Sequence, residues 1–101
     1  MTAAHRSPLL PEVPTAAEAG LPGFEVSSWQ AVMAPAATPS ALCSGIAAGI
    51  TAILREPAVA EALEAGGYTV AGGAPGEYAA FQRAEIARWR RVAQAANIVL
   101  D

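Results

Sequence analysis

The feature that most constrains this chain is the run from Phe24 to Pro39, where a strand-like sequence passes directly into a helix start. Its first part mixes β-branched and aromatic residues with serine and glutamine, which suits a partly buried strand. Because Pro35 cannot donate a ladder hydrogen bond, we predict a strand over residues 24–34 that ends before it. Thr38 is then the predicted N-cap of a helix, with the following proline at its first position. A strand that leads into a capped helix is half of a β-α-β unit, which predicts an α/β fold.

The sequence on either side of this run predicts more helix than strand. Residues 1–23 are a proline-rich irregular lead, in which Thr15 and Glu18 match a capping box for a helix of about one turn that ends at Gly20. Residues 39–101 predict helix, helix, strand and helix. These elements are, in order, helices over 40–55 and 57–65, a strand over 68–71 and a helix over 75–96. The whole chain, residues 1–101, is predicted to be a single partial domain.

Composition limits what the chain can be. A chain of 101 residues is at most one small domain, and it buries only about 60–65% of its unfolded surface. Aromatic residues make up 6% of the sequence, so these few side chains carry a large share of any core. A net charge of −3 argues against a general nucleic-acid binder. The single cysteine, Cys43, excludes an internal disulfide.

No group of residues in the sequence predicts catalysis or a metal site. His5 and Cys43 have no acidic residue close to them in sequence, so neither indicates a metal centre. Glu85 lies within the apolar stripe of the last predicted helix, where a raised pKa would suit a catalytic acid. We favour a structural carboxylate instead, with Arg88 three residues on as a local ion-pair partner. The sequence therefore predicts a protein that is not an enzyme and needs no cofactor.

Two helix faces allow more than one interpretation. The predicted helix over 40–55 has an uncharged face with Gly45 and Gly49, a spacing that transmembrane helices use for contact. Prolines leave only about 15 helical residues there, where a membrane span needs roughly 20. We favour a helix that contacts another surface, such as a second copy of the chain. The four arginines between Arg83 and Arg91 predict a solvated face rather than an anion site, since no aromatic platform accompanies them.

A longer pattern resembles one protein family. The segment LPEVPTAAEAGLPGFEVSSWQAVMAPAATP is similar to the late part of the receptors of tripartite tricarboxylate transporters, the Bug-type solute receptors. The likeness continues through REPAVAEALEAGGYTVAGGAPGEYAAFQRAEIARWRRVAQAANI. It covers nearly the whole chain, but only the last part of such a receptor.

The resemblance implies the C-terminal portion of a type II periplasmic-binding-protein lobe. Such receptors close two α/β lobes over a small organic acid and deliver it to a membrane permease. The resemblance places Ser27, Ser28, Trp29 and Gln30 near the cleft between the lobes, where they would contact a small carboxylate ligand. For Trp29 the alternative, which we favour, is that the indole fills the hydrophobic interior under the hinge. The strand over 24–34 is hinge-like in this interpretation.

What the chain lacks relative to such receptors governs its expected behaviour. Without the remainder of a receptor we do not expect the chain to bind the ligand. Two strands do not form an independently stable sheet, so strand or segment exchange in a homodimer is expected to complete it. The alternative function is a small homo-oligomeric helical interaction module with no transport role. The resemblance implies the periplasm, whereas the sequence as written has no signal peptide and predicts a cytoplasmic location.

Overall fold

The computed structural model describes residues 1–98, and helices form its regular structure. Helix α1 spans Ser40–Leu54, α2 spans Pro57–Ala65 and α3 spans Pro75–Ala95. The residues before α1 form turns and irregular segments. The described part of the chain is therefore helix-rich.

The start of α1 differs from the predicted one. Pro39 is the N-cap, with φ −55° and ψ 135°, and no side chain caps the helix. The Pro39 carbonyl accepts hydrogen bonds from the N–H groups of Leu42 at 3.0 Å and Cys43 at 3.1 Å. The predicted Thr38 cap is wrong, because a residue that precedes proline is held out of the helical region and the first turn starts after the proline.

Helix α3 is closed at both ends by local contacts. At its start the Glu77 carboxylate accepts a hydrogen bond from the Ala74 N–H at 2.6 Å, and Pro75 needs no partner because it has no N–H. At its end the Ile98 N–H donates to the Ala93 carbonyl at 2.9 Å. Asn97, with φ 52°, makes the left-handed turn that this closure requires.

Neither predicted strand forms within residues 1–98. In residues 24–34 the Val26 N–H donates to the Thr2 carbonyl at 2.8 Å, which is a contact to an irregular segment. Beside residues 68–71 the Tyr68 N–H donates back to the end of α2 at 3.0 Å. A strand needs a neighbouring strand for its N–H and C=O groups, and the described chain supplies none. The α/β prediction with about two strands is therefore not confirmed by residues 1–98, which are helix-rich.

The chain divides into two compact units. The first unit consists of Met1–Pro35 and Pro57–Val70 and contains α2. The second unit consists of Ala36–Glu56 and Ala71–Asp101 and contains α1 and α3, which contact each other. Each unit is thus built from two separate stretches of the sequence.

Burial is low throughout the described residues. Thr15, at 4% exposure, is the one buried residue among residues 1–98, and no apolar side chain there is buried. The aromatic side chains, which the composition predicts to carry a core, are therefore left without one.

The uncharged face of α1 leads to the question of whether this helix could span a membrane. That helix has 15 residues. Within the described residues no single helix has the length and apolar character to cross a membrane, although α1 and α2 taken as an interrupted pair meet the criteria of length and composition.

Candidate functional site

The predicted ligand contacts lie in the irregular part of the first unit. Ser27, Ser28, Trp29 and Gln30 are all exposed, and the Trp29 side chain is 45% exposed. In the chain by itself the indole therefore does not fill a hydrophobic interior. The four residues follow one another in sequence, and their role in ligand binding stays a prediction.

The second unit contains an open groove of about 440 Å³ that runs along α1. Ser44, Ala48, Thr51 and Arg55 line it from α1, at the three- and four-residue spacing that places side chains on one helix face. The start of α3 lines the other part of the groove. Gly45 and Gly49, the two glycines that the sequence analysis singles out on this helix, do not line the groove.

Thr51 joins α1 to the loop before α3. Its Oγ1 accepts a hydrogen bond from the Gly73 N–H at 3.1 Å. Gly72 has φ +79°, and a Cβ built there would lie 3.1 Å from the Thr51 Cγ2 atom. The close approach of this loop to α1 therefore requires glycine. From the sequence, Gly72 and Gly73 predict only a turn. Nothing in the sequence indicates that this turn contacts Thr51.

The lining of the groove suits contact rather than catalysis. Most lining side chains are small and neutral, and the charged ones are Arg55 and Glu77. The Glu77 carboxylate is already engaged at the start of α3, where it accepts the Ala74 N–H. A nucleophile needs an adjacent base, and the groove offers no histidine and no second carboxylate among its lining residues. The lining offers van der Waals contact from small side chains and hydrogen-bonding groups such as Ser44.

Glu85 is held by its own helix. Its Oε2 atom accepts a hydrogen bond from the Trp89 indole N–H at 3.0 Å. Its Oε1 atom lies 3.5 Å from the Arg88 Nη1 atom, which is the ion pair that the spacing predicts. The Arg88 guanidinium also lies over the Trp89 ring, 5.6 Å from its centroid. The contact with Trp89 was missed, although its four-residue spacing would have indicated it.

The best-formed polar cluster lies around Glu18 in the first unit. The Glu18 N–H donates to the Thr15 Oγ1 atom at 3.2 Å, and the Thr15 N–H donates to the Glu18 Oε2 atom at 2.8 Å, which confirms the predicted capping box. The Arg6 Nε–H donates to the same oxygen at 2.8 Å. The hydrogen bond from Arg6, followed by that from the Thr15 backbone, lowers the pKa of Glu18. The turn ends at Gly20, with φ +97°.

No metal centre is evident in the part of the chain that the structure describes. Across residues 1–98, no three His, Cys, Asp or Glu side chains come together in a way that could hold a metal ion. Cys43 is half-buried, and its Sγ atom lies 3.9 Å from the Thr38 carbonyl oxygen.

Similarity to known proteins decides the family. A family model described as "Tripartite tricarboxylate transporter family receptor" matches residues 1–98. The chain belongs to this receptor family. The family resemblance seen in the sequence is therefore confirmed.

Two relatives show how much of such a receptor the chain represents. The receptor chain is 45% identical over 93 residues to the UPF0065 protein in the tcbD-tcbE intergenic region of Pseudomonas sp. (strain P51), which covers 91% of the chain and 28% of that protein. It is 40% identical over 87 residues to Protein BugT of Bordetella pertussis, which covers 86% of the chain and 27% of BugT. The receptor chain thus spans between a quarter and a third of the length of these relatives.

Proposed function

We propose that this chain is part of an extracytoplasmic receptor that captures small carboxylates for a tripartite tricarboxylate transporter. The observation that carries the proposal is the family match over residues 1–98. A receptor binds its ligand and does not convert it, so the chain has no enzymatic role and no cofactor. Its partners are a small organic acid and a membrane permease, with no nucleic acid, and it acts in the periplasm.

The 101 residues do not hold the ligand by themselves in this proposal. A ligand pocket covers about 70–90% of a small ligand's surface, which requires walls on several sides. The predicted contact residues Ser27, Ser28, Trp29 and Gln30 are exposed, and the chain spans only 28% of its Pseudomonas relative. The chain is one partial domain, whose residues 24–34 and 68–71 become strands of an α/β lobe when neighbouring strands are present.

Isothermal titration calorimetry tests the proposal with two samples. One is the 101-residue chain, and the other is a chimera in which the part of BugT that precedes the matched segment is joined to Met1. Each is titrated with a panel of dicarboxylates, tricarboxylates and amino acids. We expect saturable heat with a carboxylate from the chimera and none from the chain alone. Saturable heat from the chain alone would contradict the proposal that the 101 residues do not bind the ligand by themselves. A folded chimera that gives no binding heat with any compound of the panel would contradict carboxylate capture.

A matched pair of glutamine substitutions tests the binding residues in the chimera. Gln30→Ala removes a predicted ligand contact, whereas Gln94→Ala removes the same amide from an exposed position on α3. A hydrogen bond to a charged group contributes about 1.5–3 kcal/mol, so Gln30→Ala is expected to weaken carboxylate binding about tenfold or more. Equal carboxylate affinities of the two variants would show that Gln30 does not contact the ligand.

The second candidate function is a small homo-oligomeric helical interaction module with no transport role. The exposed apolar side chains of α1 and α3 favour it, because such surface associates in water. In the absence of other partners we expect the chain to form a homodimer by strand or segment exchange. Light scattering after size-exclusion chromatography at micromolar concentration measures this, and a well-folded monomer contradicts it. A defined oligomer together with a chimera that binds no carboxylate favours the module over the receptor.

A further inference from the structure

Positive charge in this chain is concentrated on helix α3. The first unit carries one arginine and five glutamates, a net charge of −4, whereas the second unit carries five arginines and four acidic residues, a net charge of +1. Four of the six arginines lie between Arg83 and Arg91, with Glu85 as the one acidic residue among them. A short segment with a net charge of +3 therefore lies in a chain with a net charge of −3.

The spacing alone does not separate these four arginines, but Arg88 differs from the other three. Its Nη1 atom lies 3.5 Å from the Glu85 Oε1 atom, and its guanidinium lies over the neighbouring indole ring. Its charge is therefore engaged within the helix. The other three are exposed, and within residues 1–98 none of them makes an ion pair; they are Arg83, Arg90 and Arg91.

The three unpaired arginines lie along one side of α3. Arg83 and Arg90 are seven residues apart, which puts them on the same helix face, about 10 Å apart along its axis. Ile86 lies between them, three residues after the first and four before the second, and it is 52% exposed. We name Arg83, Ile86, Arg90 and Arg91 the basic face.

The elements around the basic face do not compete for its arginines. Helix α1, which contacts α3, has no charged residue in its 15 positions. At the start of α3 the Glu77 carboxylate already accepts a hydrogen bond from the Ala74 N–H. The described part of the second unit therefore leaves the basic face charged and open to an external anion.

We propose that the basic face is a docking surface for a membrane that contains anionic lipids. The guanidinium groups bind lipid phosphates, since arginine donates paired hydrogen bonds to phosphate oxygens. Ile86 enters the boundary between headgroups and acyl chains, as apolar side chains of interfacial helices do. The inference is independent of ligand capture, because the predicted ligand contacts, residues 27–30, belong to the first unit and the basic face belongs to the second.

The composition of the basic face favours a lipid surface over other anionic partners. Single-stranded nucleic acids are bound largely by aromatic stacking under their bases, and the basic face has an isoleucine and no aromatic ring. An acidic protein would need carboxylates fixed at the spacing of the three arginines. Anionic lipids instead diffuse in the plane of the membrane and collect beneath basic residues. A fluid surface with phosphates above an apolar layer therefore matches both the arginines and Ile86.

Flotation of the 101-residue chain with lipid vesicles tests the docking. One set of vesicles contains phosphatidylcholine alone, and the other contains phosphatidylglycerol in addition. Docking predicts binding to the anionic vesicles that is at least about tenfold stronger than to the neutral ones. It also predicts release in high salt, because the Debye length falls from about 10 Å at 0.1 M to about 3 Å at 1 M. Equal binding to both kinds of vesicle overturns the proposal, as does binding to neither.

A matched pair of substitutions identifies the surface. Arg90→Gln removes a charge from the basic face, and Arg55→Gln removes the same charge from an exposed position elsewhere in the second unit. Arg90→Gln is expected to weaken binding to anionic vesicles about fivefold, and replacement of all three arginines by glutamine about a hundredfold. Arg55→Gln is expected to leave binding nearly unchanged. Equal effects of the two single substitutions show that net charge alone controls binding and overturn the assignment of the surface.

A second pair of substitutions separates a lipid from other anions. Ile86→Ser is expected to weaken vesicle binding roughly fivefold, because about half of the side chain is still available for burial. Val32→Ser, at a 75% exposed position in the first unit, is the control and is expected to have no effect. Unchanged binding in Ile86→Ser overturns the entry of this side chain into the membrane. Stronger binding to duplex DNA or to polyglutamate than to the anionic vesicles identifies a different partner and overturns the proposal.

Discussion

The Thr15–Gly20 turn of the first unit and the two helices of the second unit are completed to different degrees. In the turn, Thr15 is 4% exposed, and both partners of its capping box are present within three residues. In α1 and α3 the backbone hydrogen bonds are formed, but no apolar side chain of either helix is buried. The turn is completed by its own capping box and by residues near the start of the chain, such as Arg6, which donates to Glu18. The helices, in contrast, leave their apolar side chains exposed or half-buried.

The difference follows from the range over which each interaction works. A hydrogen bond is directional and closes between two atoms, so a few neighbouring residues can satisfy it. Burial of apolar surface depends on area, and one face of a helix covers none of itself. A fragment of a receptor can therefore keep its caps and helices while its core is missing. The following predictions test this contrast in order of expected effect.

The largest effect is expected on self-association of the chain. Phe81→Ser removes an aromatic ring from the exposed apolar part of α3. It is expected to shift the homodimer toward monomer, because aromatic side chains contribute much of an interface's energy. Arg83→Ser, at an exposed position on the same helix, is expected to leave it intact. Light scattering at micromolar concentration measures both. A dimer that survives Phe81→Ser shows that the copies meet elsewhere.

The next largest effect is expected at the loop before α3. Gly73 has φ +127°, and a Cβ there would lie 2.6 Å from the Glu77 Oε2 atom. Gly73→Ala is expected to destabilise the second unit by at least about 1–2 kcal/mol, because L-residues are strained in the left-handed region. Gly76→Ala, where a Cβ meets nothing within 4 Å, is the control and is expected to be neutral or slightly stabilising. Thermal unfolding followed by circular dichroism compares them, and equal melting temperatures would contradict the strain at Gly73.

Thr15→Ala is expected to open the turn of the first unit without affecting α1 or α3. Loss of an N-cap side chain costs about 1 kcal/mol, which corresponds to roughly fivefold faster exchange of the protected amides. The reporting amides are those of Ala19 and Leu21, which donate to the Thr15 and Ala16 carbonyls. Thr69→Ala, an exposed threonine in the same unit, is the control. Unchanged exchange in Thr15→Ala would show that the backbone alone holds the turn.

The smallest effect is a dependence of the same turn on pH. The hydrogen bonds from Arg6 and the Thr15 backbone lower the pKa of Glu18, so the ionised carboxylate stabilises the turn. This stabilisation is complete above the ordinary glutamate pKa of about 4.3 and is lost as the pH falls through the lower pKa of the folded chain. The amide resonance of Thr15 should report the transition, and Glu18→Gln should eliminate it. A midpoint at or above the ordinary value would contradict the lowered pKa.

The sequence predicted the local features, whereas the predicted sheet is not confirmed in the described residues. Periodicity predicts three helices, over 40–55, 57–65 and 75–96. The structure has them at Ser40–Leu54, Pro57–Ala65 and Pro75–Ala95, so each bound differs by at most one residue. Strands were predicted over 24–34 and 68–71 from β-branched and aromatic content, and neither forms in the described chain. Helix hydrogen bonds join residues four apart, so the information is local. A strand depends on a neighbouring strand from any part of a fold, and the composition of a segment does not reveal whether that neighbour is present.

Among the candidate sites too, contacts between residues close in sequence were predicted and contacts between distant residues were not. The Glu85–Arg88 ion pair followed from a three-residue spacing, and the structure contains it. The contact of Thr51 with Gly73 joins residues 22 apart in sequence, and no pattern indicated it. The predicted binding role of Ser27, Ser28, Trp29 and Gln30 depends on further residues to enclose a ligand. It stays a prediction, which the chimera tests.

The sequence by itself determined the receptor family, the helices, the capping box and the ion pair within α3, because each depends on residue identity at short spacing or on a pattern along the chain. The tertiary structure alone decided that neither predicted strand forms in residues 1–98, that Thr51 accepts a hydrogen bond from Gly73, and that Leu42 of α1 and Val92 of α3 stay exposed. These depend on which surfaces meet in space. A sequence states how apolar a face is, but only the fold shows whether anything lies against it.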